Sequence, residues 1–157
     1  MEFSEIYTTY WQKIYRVCRG YVNYDDWAKD IAQDTFVNVF NSLDSFKGNS
    51  KISTWIFRIA VNNCLRQIEN QNRMPKSAII DNLIQPEEIK IDNKIVFLYQ
   101  VINELKEIDR IIISLELEEL KQAEIAEIVG ISEANVRVKI HRIKEKLTEK
   151  FKNYERD

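Results

Sequence analysis

Only three glycines and two prolines punctuate 157 residues, and that scarcity limits what the chain can fold into more than any other feature. Strand-rich domains need turn residues at short intervals and alternating β-branched runs. Here the glycines stand at 20, 48 and 130, and no valine/threonine alternation occurs. The chain reads as all-α. Both prolines, Pro75 and Pro86, fall in MPKSAIIDNLIQPEEIKID, residues 74–92, which has no sustained helical period. The sequence therefore predicts two small helical domains, 1–74 and 93–157, joined by a flexible linker over 75–92. Aromatic residues agree: of seven Phe, seven Tyr and three Trp, only Phe97, Tyr99, Phe151 and Tyr154 follow Pro75. Each domain would bury a modest core, marginal alone or supported by a partner.

Several function classes drop out early. No run approaches the roughly 18 apolar residues of a membrane span, so direct membrane insertion is not expected. The N-terminus, MEFSEIYTTYWQKIYR, lacks the small-residue cleavage site of a signal peptide. Two distant cysteines, Cys18 and Cys64, and one histidine, His141, make neither a disulfide framework nor a zinc set. The reducing cytoplasm is the expected compartment. There is no phosphate-cradling glycine loop, nucleophile–histidine pair or HExxH set, so no catalytic residue, metal or cofactor is expected.

Net charge is only −2, but its distribution is uneven. Residues 104–133 carry nine acids against Lys106, Arg110 and Lys121, while 137–156 carry eight Lys and Arg against three Glu. A basic helix on an acidic domain is a directed electrostatic footprint. On charge alone, a solvated helix laced with i,i+4 pairs is the favoured explanation.

The segment QAEIAEIVGISEANVRVKIHRIKEKL adds shape to that charge. Ile125, Ile128 and Val129 give a short amphipathic helix that Gly130 ends by adopting the left-handed conformation. Ser132 can cap a second helix beginning at Glu133. This is a helix-turn-helix plan, whose second helix enters the major groove. On that helix Val136, Ile140, Ile143, Leu147 and Phe151 form one buried stripe. The opposite face presents Ala134, Asn135, Val138, His141, Arg142 and Glu145, flanked by Arg137 and Lys139. Amide, arginine, imidazole and small apolar groups suit base edges, and flanking cations suit phosphates.

In the N-terminal half, DIAQDTFVNVF (30–40) sits on a helix whose core face is Ala28, Ile31, Ala32, Phe36, Val39, Phe40 and Leu43. Its other side carries Asp30, Gln33, Asp34, Val37 and Asn41, which reads equally as a docking surface or as plain solvated helix. The following helix, STWIFRIAVNNCLRQIEN, has one polar stripe of Arg58, Asn62 and Arg66, with Trp55 on the same side. Before it runs a polar loop, DSFKGNSK, residues 44–51. Tryptophan, spaced arginines and an amide-bearing loop can stack on and hydrogen-bond unpaired bases; taken by itself, Trp55 reads first as a core residue, since aromatics at helical spacing usually pack inward.

The order DIAQDTFVNVF, SFKGNSKISTWIFRIAVNN, a short linker and AEIAEIVGISEANVRVKIHRIKEKL resembles a bacterial RNA polymerase sigma factor of the extracytoplasmic-function (ECF) type over nearly the whole chain. The resemblance implies regions 2 and 4, non-catalytic promoter recognition and a role in opening DNA. It implies that Asp30, Gln33, Asp34, Phe36, Val37 and Asn41 meet the β′ clamp helices of core RNA polymerase. Phe46, Lys47, Asn49, Ser50, Lys51, Trp55, Arg58, Asn62 and Arg66 would handle the −10 element. Ser132, Asn135, Val136, Arg137, Val138, Lys139, His141 and Arg142 would read the −35 element, with region 4 also touching the β flap. An anti-sigma factor is implied as a further partner. The chain departs from the family pattern in RQIENQNR, where a basic run is usual, and at Val138, where serine is common. A conventional helix-turn-helix regulator, working without polymerase, is the alternative. Because the charge is slightly negative and 104–133 is acidic, the free chain is expected to bind duplex weakly, with its two domains packed so as to hide the recognition helix.

Overall fold

The computed structural model describes residues 2–71 and 92–156, with the backbone alone for 68–71. Except for Asp92, the predicted linker 75–92 lies outside the described residues. Among them the chain forms seven α-helices and one 3₁₀ turn, with no strand: α1 (Phe3–Val22), α2 (Asp25–Ser42), the turn Leu43–Ser45, α3 (Ile52–Gln71), α4 (Asn93–Asn103), α5 (Glu107–Leu117), α6 (Gln122–Val129) and α7 (Glu133–Arg156).

Local chemistry sets several of these boundaries. Asn23 ends α1 in the left-handed conformation at φ 56°, its N–H returning to the Arg19 carbonyl at 3.0 Å. Asp25 and Asp26 then open α2 where its dipole favours negative charge. Burial alone would raise the Asp25 carboxyl, but the Tyr15 hydroxyl donating to it and Lys29 at 3.1 Å hold it below its ordinary value. The Asp92 carboxylate caps α4 by accepting from the Lys94 amide at 2.9 Å.

Helices α1, α2 and α3 pack into an N-terminal bundle, and α4 to α7 into a C-terminal one. The two bundles do not bury separate cores. One continuous set of buried residues runs from Ile6, Ile14, Cys18, Ile31, Phe57 and Cys64 to Ile111, Ile112, Leu115, Ile125, Ile128, Val136 and Ile140. Ile102, Ile113 and Ile143 form a second, smaller cluster. The bundles meet where α1 crosses α4 and α5, and where α3 packs against α6.

Gly20 marks the closest approach. A Cβ there would stand 2.1 Å from Ser114 Oγ and 3.2 Å from Ser114 Cβ, with Ile102 next at 3.9 Å, all three atoms from the C-terminal half. Around this crossing Arg16 makes a bidentate bond to Glu118, both distances 2.7 Å. Arg19 stacks over the Tyr99 ring and Arg110 over the Tyr21 ring, at 5.0 and 4.9 Å from the centroids.

Candidate nucleic-acid interface

The helix-turn-helix takes the shape its residues predict. Gly130 has φ 86°, and its N–H bonds the Ala126 carbonyl at 2.8 Å. Ser132 Oγ accepts the Asn135 amide at 3.1 Å, capping α7. Val136, Ile140 and Ile143 are buried, and Leu147 and Phe151 half-buried, so the stripe faces inward. On the other face Ser132, Asn135, Arg137, Val138, His141 and Arg142 are all exposed, Val138 at 46%. The halves do pack together, but they leave this face of α7 open, contrary to the expectation that it would be hidden.

Polar contacts run along and beneath this surface. Arg137 meets Glu133 at 3.8 Å and His141 meets Glu145 at 2.8 Å, both at i,i+4 spacing on α7. Lys139 is half-buried and pairs with Asp109 of α5 at 3.4 Å. Lys144 likewise reaches Glu116 at 2.7 Å, and Lys150 reaches Glu104 at 3.6 Å. Part of the acidic surplus of 104–133 is thus used to seat the basic helix rather than left facing solvent.

The N-terminal surface is more mixed than its periodicity predicts. Asp30, Gln33, Asp34, Val37 and Asn41 are exposed on one side of α2, Val37 at 54%. Phe36 is 2% exposed and lies in the core beneath them, so its contribution is to seat the helix, not to meet a partner. Phe40 corrects the reading in the other direction. Assigned to the core face, it is 62% exposed, its ring edge-on to Phe3 at 5.2 Å. With Tyr7 and Val37 it lines a shallow apolar groove beside Gln33.

In the loop before α3, Lys47, Asn49 and Lys51 are exposed, while Phe46 and Ser50 are half-buried. Trp55 is half-buried, resting on the core with Phe46 tilted against it at 4.9 Å between centroids. It is thus packed against the core and still partly accessible to solvent. Of the polar stripe, Asn62 and Arg66 are exposed. Arg58 is not free: its guanidinium lies 3.5 Å from the Glu127 carboxylate and 3.5 Å from the Glu127 carbonyl oxygen on α6. Lys51 lies 3.8 Å from Glu124 of the same helix.

Two groupings escaped sequence reasoning. Buried Asn63 donates to Thr35 Oγ1 at 3.2 Å and to Asn38 Oδ1 at 3.0 Å, and Thr35 in turn donates to the Ile31 carbonyl at 2.8 Å. An asparagine beside Asn62, itself on the polar stripe, carried no signal of this inward turn. Cys18 and Cys64 are both free and buried, with sulfurs 3.9 Å apart. The hydrogen bond between the thiols, and then burial, push the Cys18 thiol well above its ordinary range. Among the described residues no cluster of His, Cys, Asp and Glu could hold a metal, and no helix is long and apolar enough to cross a membrane.

Comparison with known proteins follows the same two halves. Residues 6–74 match the Sigma-70 region 2 family, and residues 98–147 match Sigma-70, region 4. The ECF RNA polymerase sigma factor SigW of Bacillus subtilis is 29% identical over 96% of this chain and 89% of its own. The ECF RNA polymerase sigma-E factor of Escherichia coli K12 is 29% identical over 94% and 85%. Among solved structures, the fold is similar to the sigma factor RpoE of Bartonella quintana in complex with the anti-sigma factor NepR, at a TM-score of 0.78, with 20% identity and 96% of each chain covered. It is also similar to CnrH in complex with the cytosolic domain of CnrY, at a TM-score of 0.71, with 21% identity over 96% of this chain and 88% of that one.

Proposed function

The chain belongs to the sigma-70 family as an RNA polymerase sigma factor of the ECF type, and on that premise we propose how its surfaces divide the work. As such a factor it directs core enzyme to specific promoters and helps open the DNA for initiation. Residues 1–74 act as region 2, 93–157 as region 4, and 75–92 as the linker between them. The chain works in the cytoplasm.

The outward side of α2 is the docking face for the β′ clamp helices. Asp30 and Asp34 offer charge, Gln33 and Asn41 offer hydrogen bonds, and Val37 supplies apolar contact, a mix that suits a partner helix with basic and aliphatic side chains. Phe46, Lys47, Asn49, Ser50, Lys51, Trp55, Arg58, Asn62 and Arg66 form the surface for the −10 element. There the accessible edge of Trp55 stacks a base and the cations follow the backbone. On α7, Asn135, Val138, His141 and Arg142 reach base edges of the −35 element, Arg137 and Lys139 face phosphates, and Ser132 mainly holds the helix start. Region 4 also touches the β flap. An anti-sigma protein, the kind of partner bound to RpoE of Bartonella quintana, is proposed as a further ligand.

The observation that carries this reading is that the partly exposed Trp55 stripe of α3 and the exposed polar face of α7 share one chain, within the stretches that match Sigma-70 region 2 and region 4. A conventional regulator would use the exposed face of α7 alone and would need neither the Trp55 stripe nor the lysine-free face of α2. The test is retention of purified core polymerase by the tagged chain, followed by run-off transcription from a genomic promoter library. Asp30→Arg/Gln33→Ala should lose most polymerase retention while keeping its helical signal; unchanged retention would sink the assignment of that face.

A further inference from the structure

Cys18 and Cys64 are the chain's only two cysteines, 46 positions apart, yet their sulfurs stand 3.9 Å from each other. Cys18 belongs to α1 and Cys64 to α3, helices that pack directly in the N-terminal bundle. Both residues are buried, at 0% exposure. Among the described residues no His, Asp or Glu joins them in a group that could hold a metal. Taken singly, each fills core space as a small apolar residue. Taken together, they have the sulfur-to-sulfur contact from which a disulfide forms. The remaining approach, from 3.9 Å to the ~2.0 Å of the bond, is within reach of side-chain rotation and a small shift of α1 against α3.

The folded bundle shields this pair. The hydrogen bond between the thiols, and then burial, keep Cys18 protonated, and a protonated thiol is a poor nucleophile. Local loosening of the three helices exposes both sulfurs to water, returns the thiols toward their ordinary range and admits a small oxidant.

We propose that Cys18 and Cys64 form an oxidation site: a peroxide converts them to an intramolecular disulfide that staples α1 to α3, at a rate set by how often the bundle loosens. One thiolate attacks a peroxide oxygen; the O–O bond breaks, leaving a sulfenic acid and, with hydrogen peroxide, a water. The second thiolate attacks the sulfenic sulfur; the S–O bond breaks, and its oxygen takes a proton and leaves as the second water. In sum, both S–H bonds are lost, one S–S bond forms, and the two electrons pass from the thiols to the peroxide. The closed loop contains the whole of α2, so the bond restrains the unfolded chain far more than the folded one and stabilises the bundle. Because both cysteines are buried, the staple covers none of the exposed faces of α2, α3 or α7.

The test uses the full chain, reduced, freed of reductant and exposed to hydrogen peroxide. The expected product is a monomer lighter by two hydrogens, with no thiol titratable after denaturation and with the peptides that bear Cys18 and Cys64 joined. Its thermal midpoint should rise by ~5–10 °C and fall back on adding dithiothreitol. Urea at about 1 M, below the unfolding transition, should speed the reaction about fivefold, because loosening exposes surface that urea favours. Cys18→Ala and Cys64→Ala should each gain no stability from peroxide; an equal rise in either would show that the internal bond is not its source and overturn the proposal. Should those variants fail to fold, the reversible change in mass and midpoint of the wild-type chain decides the matter. Thiols still free after prolonged peroxide in that urea, linked dimers or sulfinic acids in place of the internal bond, or a midpoint that falls on oxidation would each overturn the proposal. A rate indifferent to urea would overturn its control by loosening of the bundle.

Discussion

Asn63 illustrates how single residues in this chain change meaning with one step along a helix. Its neighbour Asn62 points to solvent, while Asn63 is buried and holds α2 to α3 through Thr35 and Asn38. Removing one partner from a buried polar group leaves the others desolvated, so Asn63→Ala should cost about 1–3 kcal/mol, read as a lower urea midpoint with unchanged slope. The same uncertainty of facing explains Phe36 and Phe40. Both fit the apolar period of α2, yet Phe36 goes under the helix and Phe40 stands at its edge, because α1 ends its coverage there with Phe3 and Tyr7. A helical wheel tells which residues share a side; how far the neighbouring helix extends over that side is tertiary information.

Four of the seven described helices are legible in the sequence. Scarce glycine and proline, the Gly130 turn and the Ser132 cap placed α6 and α7 from local rules alone, and α2 and α3 followed from apolar spacing. What local rules could not supply was the use of the acidic stretch 104–133. It reads as repulsive to DNA in sequence, yet its carboxylates brace α7 from α5 and reach across to α3 from α6. At this scale α7 yields a paired prediction. Arg142 is exposed on the outward face, so Arg142→Ala should cost ~1–3 kcal/mol and relax preference at one position of the −35 element. Lys139 is tied to Asp109, so Lys139→Ala should weaken all sequences alike, reduce the salt slope, and lower stability by less than ~1 kcal/mol. Competition binding of holoenzyme to promoter variants at several salt concentrations distinguishes the two.

For the whole molecule, the junction of the halves is sensitive to alkali in a direction that can be worked out. Tyr21 and Tyr99 lie under arginines at the crossing of α1 with α5 and α4. Burial holds both phenols above their ordinary value of 10.0. Separation of the halves exposes them and returns them toward that value. The closed form therefore keeps its full advantage below pH ~10 and loses it as pH rises further, because the open form releases protons first. Scattering across this range should show expansion, and Tyr21→Phe/Tyr99→Phe should shift its onset to higher pH; an onset independent of both tyrosines would refute the linkage. The continuous core has one more consequence, for the lifetime of the molecule in a cell. A chain whose halves share isoleucines cannot open without wetting them. An opened molecule therefore presents apolar surface of the kind that chaperones and proteases act on.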